Sequence, residues 1–109
     1  MNNSVYIAGK ITGLDNYKEN FELGERDLIE RGFKPMTSVR LNAGFEHEEY
    51  MHICYAMVDV CDNIYMLRDW KDSKGAILEH KYAIKNQKNI IYEDGIKVYY
   101  DESDDTKSA

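Results

Sequence analysis

The sequence predicts an α/β domain on a mostly parallel sheet, and three observations carry that prediction. Short apolar runs at Val5-Tyr6-Ile7-Ala8, Asn63-Ile64-Tyr65-Met66-Leu67 and Asn89-Ile90-Ile91-Tyr92 show no clean alternation, as strands buried on both faces do. The stretches between them carry apolar residues at helical spacing. Strands and helices that alternate in this way build a sheet covered by helices through right-handed crossovers.

The first run is broken by Gly9 and Gly13, so strand one leads into a loop. Asn16 followed three residues later by Glu19 fits a capping box, and Tyr17, Phe21, Gly24 and Leu28 then recur at helical spacing. That helix runs to about Arg31 and ends at Gly32. Phe33-Lys34-Pro35-Met36 reads as a brief second strand, its proline favouring a strand end or a sheet edge. Residues 37–46 read as a loop. From about His47 the apolar positions Tyr50, Met51, Cys54, Met57, Val58 and Cys61 fall on one stripe, which makes this the clearest helix in the chain. Asn63 to Leu67 is the third strand, residues 68–72 form a loop, and Ser73 or Asp72 caps a helix whose buried face is Ala76, Ile77, Ala83 and Ile84. Asn89 to Tyr92 is the fourth strand, and Asp94-Gly95 can turn the chain into a last, antiparallel strand, Ile96-Lys97-Val98-Tyr99. Residues 1–100 form one domain, and residues 101–109 are an acidic tail expected to be disordered.

Composition narrows the function. A chain of 109 residues has room for one core, and 43% hydrophobic with 31% charged residues is a globular balance. No apolar run is long enough to span a bilayer, and the first residues lack a basic leader before a long apolar stretch, so no membrane partner and a cytoplasmic location are expected. A net charge of −6 argues against binding a nucleic-acid backbone, which needs a basic face. Cys54 and Cys61 are seven residues apart on one helix, roughly 10 Å, which is beyond disulfide reach. His47, His52 and His80 show no zinc spacing and there is no Cys-x-x-Cys, so neither a metal nor another cofactor is expected. A small molecule is the ligand class left.

Ligands on parallel sheets bind beyond the carboxyl ends of the strands, which brings residues 9–16 and 68–75 to one edge. Gly9 and Gly13 let a backbone approach a ligand with the Lys10 ammonium at hand, but a plain turn would also want these glycines. Glu79 lies one and a half turns into its helix at the border of the apolar stripe, where a helix N-terminus favours the anion by about 0.3–1 kcal/mol. It reads either as a nucleophile or as a surface charge. Ser73 can cap the helix, bind an anion, or do both. Trp70 can stack on a base or simply cover the loop, and His80 reads as a hydrogen-bonded core residue.

Three segments, Tyr6-Ile7-Ala8-Gly9-Lys10-Ile11-Thr12-Gly13, Cys61-Asp62-Asn63-Ile64-Tyr65-Met66-Leu67 and Trp70-Lys71-Asp72-Ser73-Lys74-Gly75-Ala76-Ile77-Leu78-Glu79-His80, together resemble the nucleoside 2-deoxyribosyltransferase superfamily. The likeness runs over residues 5–92 and is strongest to a phage and bacterial branch of small domains of unknown function. It implies a flavodoxin-like three-layer sandwich of four to five strands with helices on both faces. The implied activity is cleavage of the N-glycosidic bond of a deoxynucleoside or its monophosphate, by an N-glycosidase or a deoxyribosyltransferase. Glu79 matches the glutamate that attacks the anomeric carbon, as in a retaining glycosidase, and Tyr6 matches a tyrosine beside it. Ser73, with Asp72 adjacent, matches a serine that contacts phosphate in nucleotide-acting members. Gly9, Lys10, Thr12, Gly13, Trp70 and Gly75 complete the expected binding set.

The departures from the pattern are specific. An aspartate is implied on the second helix, eight residues before the one matched by Asp62, and Cys54 stands there. Thr12 stands where the glycosidases carry a phosphate-binding arginine, which leaves Lys10 as the local cation. A thiol cannot act as a carboxylate does, so a nucleotide-binding or sequestering module without turnover is the alternative, and a fold kept only for protein interaction is another. The resemblance also implies a homodimer or higher homo-oligomer, with Met51, Tyr55 and Met57 as candidate contacts.

Overall fold

The computed structural model describes residues 3–41, 44–93 and 95. Its order is β1 (Ser4–Ala8), α1 (Tyr17–Glu30), β2 (Lys34–Thr37), a 3-10 turn at Ser38–Arg40, α2 (His47–Val60), β3 (Asn63–Met66), a second 3-10 turn at Trp70–Asp72, α3 (Lys74–Lys85) and β4 (Asn89–Tyr92). The strands lie in the order β2-β1-β3-β4, and every pairing is parallel. The predicted α/β sandwich is therefore observed, with four strands among the described residues. The expected strand over Ile96-Lys97-Val98-Tyr99 and the acidic tail lie outside them.

Period-two side-chain alternation sorts β1 and β3 between two cores. Tyr6, Ala8, Ile64 and Met66 pack with Cys54 and Val58 of α2 and with Ala76 and Ala83 of α3. Val5, Ile7, Tyr65 and Leu67 pack with Phe21 and Leu28 of α1. The layers are thus α1, sheet, and the α2–α3 pair. Both faces of the central strands are covered, which is why their sequence shows no polar alternation.

Several local expectations need correcting. Asn16 precedes α1, but its side chain makes no capping bond, so the Asn16–Glu19 capping box does not form. Its φ and ψ of −101° and 28° are not the extended values usual at that position. Gly32 does end α1: it takes φ of 93°, the Phe33 N–H reaches the Leu28 carbonyl at 2.9 Å and the Gly32 N–H reaches that of Ile29 at 3.0 Å, a Schellman closure. Residues 37–46 contain the first 3-10 turn, which opens where the Thr37 hydroxyl accepts from the Val39 N–H at 3.1 Å. Ile84, expected on the buried face of α3, is 46% exposed, because that face turns on Ala76, Glu79, His80 and Ala83. No helix among the described residues is long and apolar enough to cross a membrane.

Gly9 is required by contact. A Cβ built there would stand 2.6 Å from Leu67 Cδ1 and 3.0 Å from Leu67 Cβ, so the β1 and β3 ends meet through hydrogen at this position. Gly9→Ala is expected to cost about 1–3 kcal/mol by overpacking. In a double-mutant cycle read by urea denaturation, that cost should shrink in a Leu67→Ala background. An equal cost in both backgrounds would show that the contact is not the cause.

Candidate functional site

The strand order makes β1 and β3 the switch point of the sheet, because the chain leaves β1 toward β2 and leaves β3 toward β4. Loops part at such a point and leave a crevice beyond the strand ends. A cavity of about 380 Å³ opens there, within the usual range for small-molecule sites.

Three elements bring one polar group each to Tyr6 at its floor. Alternation in β1 points Tyr6 toward α2 and α3. Glu79 of α3 accepts from the Tyr6 hydroxyl at 2.8 Å through Oε2. Ser38, in the turn after β2, places Oγ 3.4 Å from the same hydroxyl. Since the single phenolic proton goes to Glu79, the Ser38 hydroxyl is left to donate toward Tyr6. Cys54 of α2 completes the group and shares hydrogen bonds with both Tyr6 and Glu79. Arg40 holds the turn that carries Ser38, its guanidinium fork meeting the Glu25 carboxylate of α1 at 2.8 and 2.9 Å.

Burial governs the electrostatics. Glu79 is 6% exposed, and loss of water pushes its carboxyl up to about 7, with the Tyr6 and Cys54 hydrogen bonds pulling the other way. Burial thus works against the preference for the anion that a helix N-terminus gives. The Cys54 thiol is raised to about 11 by burial and then by the Glu79 charge, so it keeps its proton. Tyr6 is raised well above its usual 10 for the same two reasons.

The walls are mainly apolar. Ile11, Tyr17, Phe21, Val39 and Leu41 line one side, and Met51 and Tyr50 of α2 the other, with His47 at the start of that helix. Of the expected binding residues, Gly9, Thr12, Ser73 and Gly75 line the cavity with Tyr6 and Glu79. Lys10, Gly13, Trp70 and Asp72 are not among the lining residues. The Lys10 ammonium instead donates to the Asp72 carbonyl at 3.2 Å. Trp70 is buried, its ring 4.2 Å from His80, so of its two readings, stacking on a base or covering the loop, the packing agrees with the second. His80 is the core residue expected: it shares a 2.8 Å hydrogen bond with the Tyr92 hydroxyl, and burial followed by Lys71 pushes it down to about 4. The Ser73 hydroxyl caps α3 by accepting the Ala76 N–H at 3.1 Å. Met51 is buried and lines the cavity, while Tyr55 stacks on Tyr82 at 4.4 Å.

Ser38 escaped sequence reading because it lies in a stretch without periodicity. The only local sign was Thr37-Ser38, a pair able to start a turn. Among the described residues no group of three or more His, Cys, Asp or Glu side chains is placed to hold a metal ion.

Two comparisons bear on this geometry. The family model described as "Domain of unknown function (DUF4406)" matches residues 3–92. A 2-desoxiribosyltransferase from Leishmania mexicana has a similar structure, with a TM-score of 0.65 and 19% identity over 82% of this chain. The chain spans 62% of the length of that structure. A search of curated proteins finds no match.

The burial of Glu79 has a thermodynamic signature. Its folded value lies above the unfolded 4.5, so its contribution is fully present below pH 4.5 and is lost as pH rises through about 7. A shift of that size corresponds to about 3 kcal/mol. Glu79→Gln should therefore gain stability relative to the parent by about that amount between pH 4.5 and 8, measured by urea denaturation. A difference independent of pH would show that the carboxyl is not held protonated by the fold.

Proposed function

The chain belongs to the DUF4406 family and shares the fold of a deoxyribosyltransferase, and from that premise we propose that it cleaves the N-glycosidic bond of a nucleoside or nucleotide with Glu79 as nucleophile. The observation that carries this reading is the buried Glu79 carboxyl, held by the Tyr6 hydroxyl at 2.8 Å on the floor of a cavity at the sheet switch point. A carboxyl so placed suits a reaction in which positive charge develops next to it. An anomeric carbon gains such charge as its base departs, and the charge stabilises the carboxylate at the moment it is needed.

The residues divide the work by position. Glu79 attacks the anomeric carbon, and water later releases the sugar. Tyr6 donates to one carboxyl oxygen, which orients the other toward the substrate. Ser38 and Cys54 complete the polar floor for sugar hydroxyls. Tyr17 and Tyr50, which line the cavity, are the aromatic side chains within reach of a base. No lysine or arginine is among the described lining residues, which favours the nucleoside over the nucleotide at this cavity.

A second reading, binding without turnover, is favoured by one observation: the thiol of Cys54 stands beside Glu79 where the resemblance implies a carboxylate. Base release from deoxynucleosides and their 5′-monophosphates, followed by chromatography, separates the two. On the catalytic reading Glu79→Ala abolishes release and Tyr6→Phe lowers kcat by roughly 10- to 100-fold. The rate should also fall as pH drops below about 7, because the nucleophile is then protonated. Undiminished release by the Glu79 variant would rule the assignment out. Nucleoside binding by thermal shift with no release would select the second reading.

A further inference from the structure

The three helices differ in the charge they turn to solvent. Helix α1 sets Lys18 and Arg26 among a larger number of acids, and α2 carries Glu48, Glu49 and Asp59 with no lysine or arginine. Helix α3 is the reverse: its cations are Lys74, Lys81 and Lys85, and its one acid, Glu79, is buried. At about 100° per residue, Lys74, Leu78, Lys81 and Lys85 fall on one stripe opposite the buried Ala76 and Ala83. All four are exposed, as is Ile84 on the flank of the stripe.

That stripe is unfavourable by itself. Lys81 and Lys85 are like charges one turn apart, and Lys74 holds the first position of the helix, where the dipole opposes a cation. Among the described residues no carboxylate pairs with any of the three. An anion lying along the helix would lower each of these costs.

The chain carries such an anion close by. Asp101-Glu102-Ser103-Asp104-Asp105 puts four carboxylates into five residues. Gly95, the last described residue, closes a turn on β4 with its N–H 2.9 Å from the Tyr92 carbonyl, and the Tyr92 hydroxyl shares a 2.8 Å hydrogen bond with His80 of α3. Residues 96–100 can extend by at most about 16–18 Å, and a helix with its side chains is about 10–12 Å across. The acidic run is therefore tethered within reach of the outer face of α3.

We infer that the outer face of α3, the stripe of Lys74, Leu78, Lys81 and Lys85, is a docking surface whose occupant is this chain's own acidic run, Asp101 to Asp105. Exposed ion pairs are individually weak, but a short tether holds the run at a local concentration on the order of millimolar, so several weak pairs together keep it in place. Contact through charge requires no fixed backbone in the run. A separate polyanion such as a nucleic acid lacks the tether, and a net charge of −6 repels it at long range. The stripe lies on the side of α3 away from Glu79, so this docking stands or falls apart from the glycosidic reading.

The test places a nitroxide on Ser103→Cys in the full chain, Cys54 and Cys61 being buried, and follows the broadening of backbone amide signals by NMR. At low ionic strength the amides of residues 74–85 are expected to broaden. That broadening should be lost when Asp101→Asn, Glu102→Gln, Asp104→Asn and Asp105→Asn neutralise the run, and equally with Lys74→Gln, Lys81→Gln and Lys85→Gln on the exposed stripe. It should also be lost in molar salt, where charges are screened beyond about 3 Å. Equal broadening in the parent and neutralised chains would show that the tether alone brings the label near, and would overturn the docking. Broadening seen only between a spin-labelled chain and a separate isotope-labelled one would make a second copy the occupant and overturn it too. So would saturable binding of single-stranded DNA at residues 74–85 that is the same with and without the acidic charges, since the face would then belong to a nucleic acid.

Discussion

The hydrogen bond from Tyr6 to Glu79 ties the central strand β1 to α3 at a point almost wholly withdrawn from solvent. A carboxyl in such a place is costly as an anion, and the protein meets that cost in part with two donors, a phenol and a thiol, from two different elements. No local feature of α3 would put an acid on its buried face. The arrangement persists because Ala76 and Ala83 on that face pack against the sheet and bring the helix close enough for Glu79 to reach Tyr6. The same burial that penalises the charge leaves the carboxyl responsive to whatever enters the cavity, since any positive centre beside it reverses the balance.

The surrounding fold holds this contact at the sheet switch point. Gly9 lets the ends of β1 and β3 approach through Leu67, so the loop after β1 begins close to the cavity. The Arg40–Glu25 fork ties the turn after β2 to α1 on the far side of the sheet, which keeps Ser38 near Tyr6. That pair is exposed at Arg40, so its direct contribution to stability is small, and its effect is mainly geometric. Ser73 does its local work by capping α3, and in doing so sets where the helix starts and how deep Glu79 sits.

Sequence reading succeeded where a pattern repeats and failed where one residue must choose between local and distant partners. Strand and helix positions were legible because buried strands and amphipathic helices impose periods. Gly32 was legible because one dihedral requirement selects it. Asn16 and Glu19 had the right spacing for a capping box, but their backbone adopts a turn that leaves the side chain unused. Ile84 and Glu79 show the opposite failure: hydropathy assigned the isoleucine inward and left the carboxyl at the border, whereas packing against the sheet turned the helix the other way. Trp70 could equally have faced a ligand or covered the loop, and its packing on His80 agrees with the second.

What the sequence determined by itself is the α/β architecture, the edge at which chemistry should be sought, and, through its resemblance, Tyr6 and Glu79 as a pair worth joining. These follow from periodicity and from motifs contiguous in the chain. Only the tertiary structure decided that the two share a hydrogen bond, that Ser38 and Cys54 join them, that Lys10, Trp70 and Asp72 do not line the cavity, and that Glu79 is held near neutrality. The physical reason is that desolvation and contact depend on residues up to 73 positions apart, and no local spacing encodes how much water remains between them.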